Sequence, residues 1–287
     1  MTQLLITLNK IKPHLCYIDK NIFMKKIIYA SLIVSLVAAS CGSVKMAVSD
    51  ELKANNDEYV VKGKNGTRIR QKLYFGEYFT TSIKRSWTKD RSSKYGIGSG
   101  GPTTDQWVNI ISLEYIRRKQ TIRFNLSDGK NNSDVYCVSR FNAKELEIGK
   151  NPNSLLNIGI DVLGIMGRHS DTYYVQIFTG NKVERPWELS IDNYRSQASP
   201  KKHIGYLAKN ATEYYSIVPV TKLEKNGKSG SILAGSVGFE FRDPQGRPVA
   251  AVSQIDRGMV FLAKISTEER FLLANACAAL LLQDMIE

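Results

Sequence analysis

The chain has 287 residues and a formal net charge of +13, from 40 Lys and Arg against 27 Asp and Glu. That excess favours acidic surfaces such as anionic lipid or polysaccharide. Beyond Cys41 there are only Cys137 and Cys277, with His169 and His203; a structural zinc site of the usual spacing is excluded, and a disulfide is possible without being implied.

At the N-terminus, Met24-Lys25-Lys26 precedes an apolar run from Ile27 to Val37. Two lysines before a short apolar run form the n-region and h-region of a secretory signal. The run is too short to span a bilayer, which takes about 20 apolar residues. It ends in Ala38-Ala39-Ser40-Cys41-Gly42. Small residues before a cysteine resemble the lipobox of bacterial lipoproteins, where the thiol is acylated and the peptide bond before it is cut. The competing reading is a plain signal peptide, or an apolar helix that happens to hold a cysteine. The resemblance implies a signal peptide over 24–40 and a mature chain starting at a lipid-modified Cys41. It also implies a cell-envelope location, held to the membrane by lipid and, in a Gram-negative cell, at the outer membrane or facing the periplasm. Residues 1–23 add a polar leader with Pro13 and His14 before the more natural start at Met24. They are read as a mis-annotated leader and set aside with Cys16. Residues 1–40 carry five Lys and one Asp, which leaves the mature chain at about +9. Such a charge also attracts nucleic acid, but an exported lipoprotein rarely meets any, so none is expected as a partner.

Residues 41–57 are polar without a strong period and read as a lipid-anchored tether. From 58 onward the chain alternates and is rich in β-branched and aromatic residues. Strands are predicted over 58–63, 68–76, 78–87, 107–116, 119–126, 133–141, 172–179, 186–192, 203–208, 213–223, 235–242, 247–255 and 258–264. Turn residues separate them, among them Asn65-Gly66, Ser127-Asp128-Gly129, Asn226-Gly227 and Asp243-Pro244-Gln245-Gly246. The strand count is high for one sandwich and predicts a single large barrel over 58–287. Two stretches break the pattern. Gly96 to Pro102 is a glycine-rich loop without the Lys-Ser/Thr ending of a phosphate-binding loop. Residues 154–166 are apolar with glycines and read as core.

Near the C-terminus, Ser266-Thr267-Glu268-Glu269 has the form of a capping box. The run from Phe271 to Leu282 that follows is apolar almost all round, so its helix must be buried on every side. A sheet wrapped around it achieves that; the rival is a membrane span, for which the run is short. The segment Phe239 to Val252, a strand, an Asp-x-x-Gly turn and a second strand ahead of that apolar helix, resembles the tubby-like barrel group. That group comprises tubby C-terminal domains, LURP-one-related proteins and phospholipid scramblases. Tyr74 to Tyr78 and Lys84 to Trp87 are a weaker echo. The resemblance implies a mainly β fold: a single antiparallel barrel of about twelve strands around a buried C-terminal helix. It carries over no binding residue, since neither the acidic calcium segment of scramblases nor the basic phosphoinositide pair of tubby proteins is visible.

Catalytic signatures are sparse. His169, Ser170 and Asp171 sit together in one polar stretch, whereas triad members usually come from distant parts of a chain. His203 follows two lysines and reads as surface. Asp243 and Gly246 are explained by their turn. No cofactor or metal is expected. Of the aromatics Trp87, Trp107, Tyr173, Tyr174, Trp187, Tyr214 and Tyr215, most read as barrel core. The scattered cations (Lys84, Arg85, Lys89, Arg91, Lys94, Arg117, Arg118, Lys119) read mostly as a solvated face. The functional expectation is a membrane-anchored, non-enzymatic binding or scaffold module for anionic lipid or another acidic envelope ligand. A glycan hydrolase of the envelope and a structural subunit of an envelope complex are the alternatives.

Overall fold

The computed structural model describes residues 44–64, 71–87, 120–141, 172–180, 186–193, 204–232 and 235–283. The predicted signal peptide with Cys41, the predicted strand 107–116, the glycine-rich loop, the apolar stretch 154–166, Trp107, His169 and His203 lie outside them.

Alternation does produce strands. In chain order they are β1 Lys45–Met46, β2 Asn56–Val60, β3 Tyr74–Phe75, β4 Tyr78–Trp87, β5 Gln120–Ser127, β6 Asn132–Phe141, β7 Thr172–Thr179 and β8 Trp187–Asp192. They continue as β9 Gly205–Ala208, β10 Tyr214–Val220, β11 Lys222–Lys225, β12 Lys228–Ser231, β13 Gly238–Arg242, β14 Pro248–Ser253 and β15 Met259–Ala263. Two helices, α1 (Asp50–Ala54) and α2 (Thr267–Leu282), accompany these strands among the described residues.

Twelve strands form one antiparallel sheet, in the order β2-β15-β14-β13-β10-β9-β8-β7-β6-β5-β4-β3. Its two edges, β2 and β3, meet through a bridge between Lys62 and Tyr74, whose backbone hydrogen bonds measure 2.9 and 3.1 Å. The sheet is thus a barrel with a narrow seam, and the first barrel strand is zipped to the last over five residue pairs. Every second residue points inward: Ile122, Phe124 and Leu126 of β5, Val135 and Cys137 of β6, Tyr173, Val175 and Ile177 of β7, Phe239 and Phe241 of β13.

These side chains close on α2. All twelve residues from Phe271 to Leu282 are buried, so the expectation of a fully enclosed helix holds. Ala274, Ala276, Ala278 and Ala279 keep the helix thin enough to fill the lumen without prying the sheet apart. Ser266 caps its start, its Oγ accepting from the Glu269 N–H at 3.3 Å and donating to the Glu269 carboxylate at 2.8 Å. At the other end the helix carbonyls take donors from the wall: the Tyr173 hydroxyl to Ala279 at 2.8 Å, Gln254 to Leu280 at 3.3 Å and the Arg85 guanidinium to Leu282 at 3.4 Å. A cation is favourable there, at the negative end of the helix dipole. Among the described residues no helix is long and apolar enough to cross a membrane.

The structure corrects two readings. Residues 44–57 are no free tether: β1 pairs with β11, and Met46 and Leu52 are buried against Ala251, Phe261 and Ala263 on the outside of the barrel. Two anchoring side chains six residues apart create no periodicity, which is why the stretch looked unstructured. The predicted strand 213–223 ends at Val220. Beyond it the chain leaves the barrel as the β11–β12 hairpin, turning at Asn226 and Gly227 with φ of 51° and 73°. With β1 the hairpin makes a separate three-stranded sheet.

Candidate functional site

The barrel interior is occupied by packing and by structural polar contacts. Arg270, in the first turns of α2, reaches the inward-facing Asp57 at 2.8 Å and the Tyr59 hydroxyl at 2.8 Å, with Glu77 at 3.9 Å. Burial works against its charge, but hydrogen bonds to Asp57 and Tyr78 outweigh it and hold the guanidinium protonated more firmly than usual. Asp57 and Tyr59 belong to β2, while Glu77 and Tyr78 lie at the β3–β4 turn, so one side chain straddles the barrel seam from inside. Gly76 of that turn has φ 58°, and a Cβ there would lie 2.5 Å from the Tyr59 ring. The seam's other end is tied by Gln71, whose amide donates to the carbonyls of Gly63 (3.3 Å) and Lys64 (2.6 Å) and accepts from Arg85 at 3.0 Å.

Chemistry inside is correspondingly muted. Asn275, fully buried in α2, accepts from the Ser133 hydroxyl and donates to the Phe271 carbonyl at 2.8 Å. Cys137 and Cys277 are buried free thiols. Burial pushes the Cys137 thiol up to about 12 and raises Cys277 as well, so neither supplies a thiolate near neutral pH. Among the described residues, no group of three or more His, Cys, Asp or Glu is placed to hold a metal. Asp243 serves its turn: it accepts from the N–H groups of Gln245 and Arg247 at 3.0 and 2.8 Å and pairs with the Arg247 guanidinium. Of the aromatics, Tyr173, Tyr174 and Tyr215 are buried. Trp187 packs on Tyr215 with ring centres 5.9 Å apart, and Tyr214 meets Tyr206 edge to face on the outer wall.

The outer surface carries a feature the sequence reading did not single out. The flap of β1, β11 and β12 exposes Lys45, Lys222, Lys225 and Lys228. Its single carboxylate, Glu224, stands opposite Lys45 and is engaged by Lys53 of α1 at 2.9 Å. Across the hairpin Lys225 faces Lys228 directly, a like-charge pair that disfavours the local fold. All four residues of β12 are exposed, so no burial of its own side chains rewards that arrangement. Asp50 and Glu51 lie in the first turn of α1. Among the described residues, no ion pair involves Lys45, Lys222, Lys225 or Lys228. The available signal was the run Lys222-Leu223-Glu224-Lys225-Asn226-Gly227-Lys228, a hairpin turn inside a lysine cluster.

The chain matches no protein-family model, no curated protein and no solved structure.

Proposed function

We propose that the chain is a lipid-anchored protein of the bacterial cell envelope. Its signal peptide spans 24–40, its anchor is lipid on Cys41, and its barrel is a non-enzymatic binding or scaffold module for an acidic ligand, foremost anionic lipid. The observation that carries this reading is the filled lumen. Among the described residues α2 occupies the lumen with twelve buried side chains, so recognition is assigned to the outer face and loops. The basic excess of the sequence gives that surface its preferred partner. The glycan-hydrolase alternative needs two carboxylates facing one cleft about 5–9.5 Å apart. In the described barrel Asp57 is committed to Arg270, and Glu269 to Ser266 and the Tyr215 hydroxyl at 3.0 Å. A twelve-stranded barrel closed around its C-terminal helix also supports kinship with the tubby-like group, without transferring any ligand.

The test is metabolic labelling with a radioactive fatty acid in a bacterial host. The unaltered chain is expected to take up label and to be shortened. Cys41→Ala is expected to stay unlabelled at precursor length; normal labelling of that variant would refute the anchor.

A further inference from the structure

We propose that Asn226 is a site of spontaneous chemical modification, in which its side chain closes on the Gly227 backbone nitrogen under the influence of the repelling lysine pair at the end of the β11–β12 hairpin. The reading is independent of the lipid anchor. Asn226 and Gly227 form the whole of the two-residue loop, both exposed and both at positive φ, 51° and 73°. The residue after an asparagine decides how readily it cyclises, because its side chain crowds the attacking nitrogen; glycine has none. A Cβ at position 227 would have no atom within 4 Å, so the loop is open to water. Among the described residues no hydrogen bond holds the Asn226 carboxamide. By contrast, Asn131 donates to Asp128 at 2.9 Å, and Asn210 accepts from the N–H groups of Thr212 and Glu213, each at 2.9 Å. The reaction needs no partner but water. The Gly227 nitrogen loses its proton and bonds to the side-chain carbonyl carbon of Asn226, whose C–N bond breaks as ammonia leaves with that proton. Water then opens the cyclic imide at either carbonyl, giving aspartate or, with the backbone rerouted through the side chain, isoaspartate. Two features of the hairpin favour this. Lys225 and Lys228 stand at the two ends of the loop as cross-strand partners on one face. Their ammonium groups favour the anionic form of the Gly227 nitrogen from which attack starts. They also repel one another, and β12 buries none of its residues, so the loop end opens readily. Opening matters because the folded turn fixes the torsion between Asn226 and Gly227 that ring closure must turn. The product carries a new carboxylate between the two lysines, which turns a repelling end into a compensated one.

In the experiment the purified full chain is incubated at mildly alkaline pH, sampled over days and cut with a glutamate-specific protease. Cutting after Glu224 and Glu240 frees a peptide in which Asn226 carries the only side-chain amide, so its mass reports that residue alone. A free peptide of residues 222–231, incubated beside the protein, sets the rate without a hairpin. The parent protein is expected to convert, its amide NH2 replaced by OH, and to accept label from an isoaspartyl methyltransferase. Asn226→Gln is expected to keep its mass and stay unlabelled, because the longer side chain closes a larger ring far more slowly. Lys225→Glu should slow conversion by up to about fivefold, the ratio that matches ~1 kcal/mol of cross-strand pairing. Lys225→Arg should convert like the parent. If Asn226 keeps its amide in the protein while the free peptide loses it, the folded turn forbids the reaction and the proposal is overturned. Equal rates in the parent and Lys225→Glu would make conversion a property of the Asn-Gly pair alone, and would overturn it as well.

Discussion

Arg270 is the residue on which the seam depends. Its side chain is 14% exposed, and it joins Asp57 and Tyr59 of the first barrel strand to the β3–β4 turn. Arg270→Ala would leave those partners facing a half-buried space without a cation, and is expected to cost about 2–3 kcal/mol by denaturant unfolding. Gly76→Ala is expected to destabilise as well, since its positive φ and the Tyr59 ring both oppose a Cβ. The buried thiols make a prediction about pH. Cys137 has an ordinary value near 9 and is pushed up to about 12 by burial, so above pH 9 the unfolded chain loses this proton while the folded one keeps it. Stability contributed by the neutral thiol is whole below pH 9 and declines as pH rises towards 12. Denaturation series across that window should show the decline, and Cys137→Ala should make it shallower, the remainder coming from Cys277 and the buried tyrosines, whose values burial also raises. An identical slope in the variant would remove the thiol as its cause.

At the scale of elements, α2 and the flap are opposites. α2 offers no polar face, so a charge placed in it has no partner: Ala276→Asp or Leu280→Lys should cost several kcal/mol, against a typical domain stability of ~5–15 kcal/mol. Both variants are expected to lose the cooperative melt. The flap carries its charge at the expense of its own pairing. Lys225→Glu converts a repelling cross-strand pair into an attracting one and should leave stability unchanged or raise it by about 0.2–1 kcal/mol, read by denaturant unfolding. This contrast explains what was legible in the sequence. Barrel strands announce themselves because one face is core and the other solvent, as in Ile122, Phe124 and Leu126 against Arg123 and Asn125. The capping box and the apolar run fixed α2 for the same reason. The flap has almost no buried face, so Lys222 to Ser231 carry no alternation to read, and Val220 passed without a visible break into β11. The Met46 and Leu52 contacts were invisible because they are tertiary, set by the outer wall and not by local spacing. The lysine-rich flap was least legible, since it is assembled from segments some 180 residues apart that the register alone brings together.

The whole molecule is a twelve-stranded sheet closed around α2 along one seam. The seam is its weakest line: β2 and β3 share one bridge, while β5 and β6 share eight residue pairs. Amide exchange should be fastest in β3 and at the Lys62–Tyr74 contact and slowest in β5 to β7. Deleting residues 267–287 removes the filling of the lumen and should leave a protease-sensitive chain. A soluble truncation with a melting transition near that of the full protein would make α2 peripheral. The proposed function, however, turns on where the mature chain begins, because it rests on lipid attached at Cys41. Mass spectrometry of the N-terminal peptide, from protein purified out of bacterial membranes, measures this directly. The account predicts a peptide whose first residue is Cys41 and whose mass is raised by lipid; a chain that begins at Met1 or Met24, with an unmodified Cys41 thiol, would contradict it.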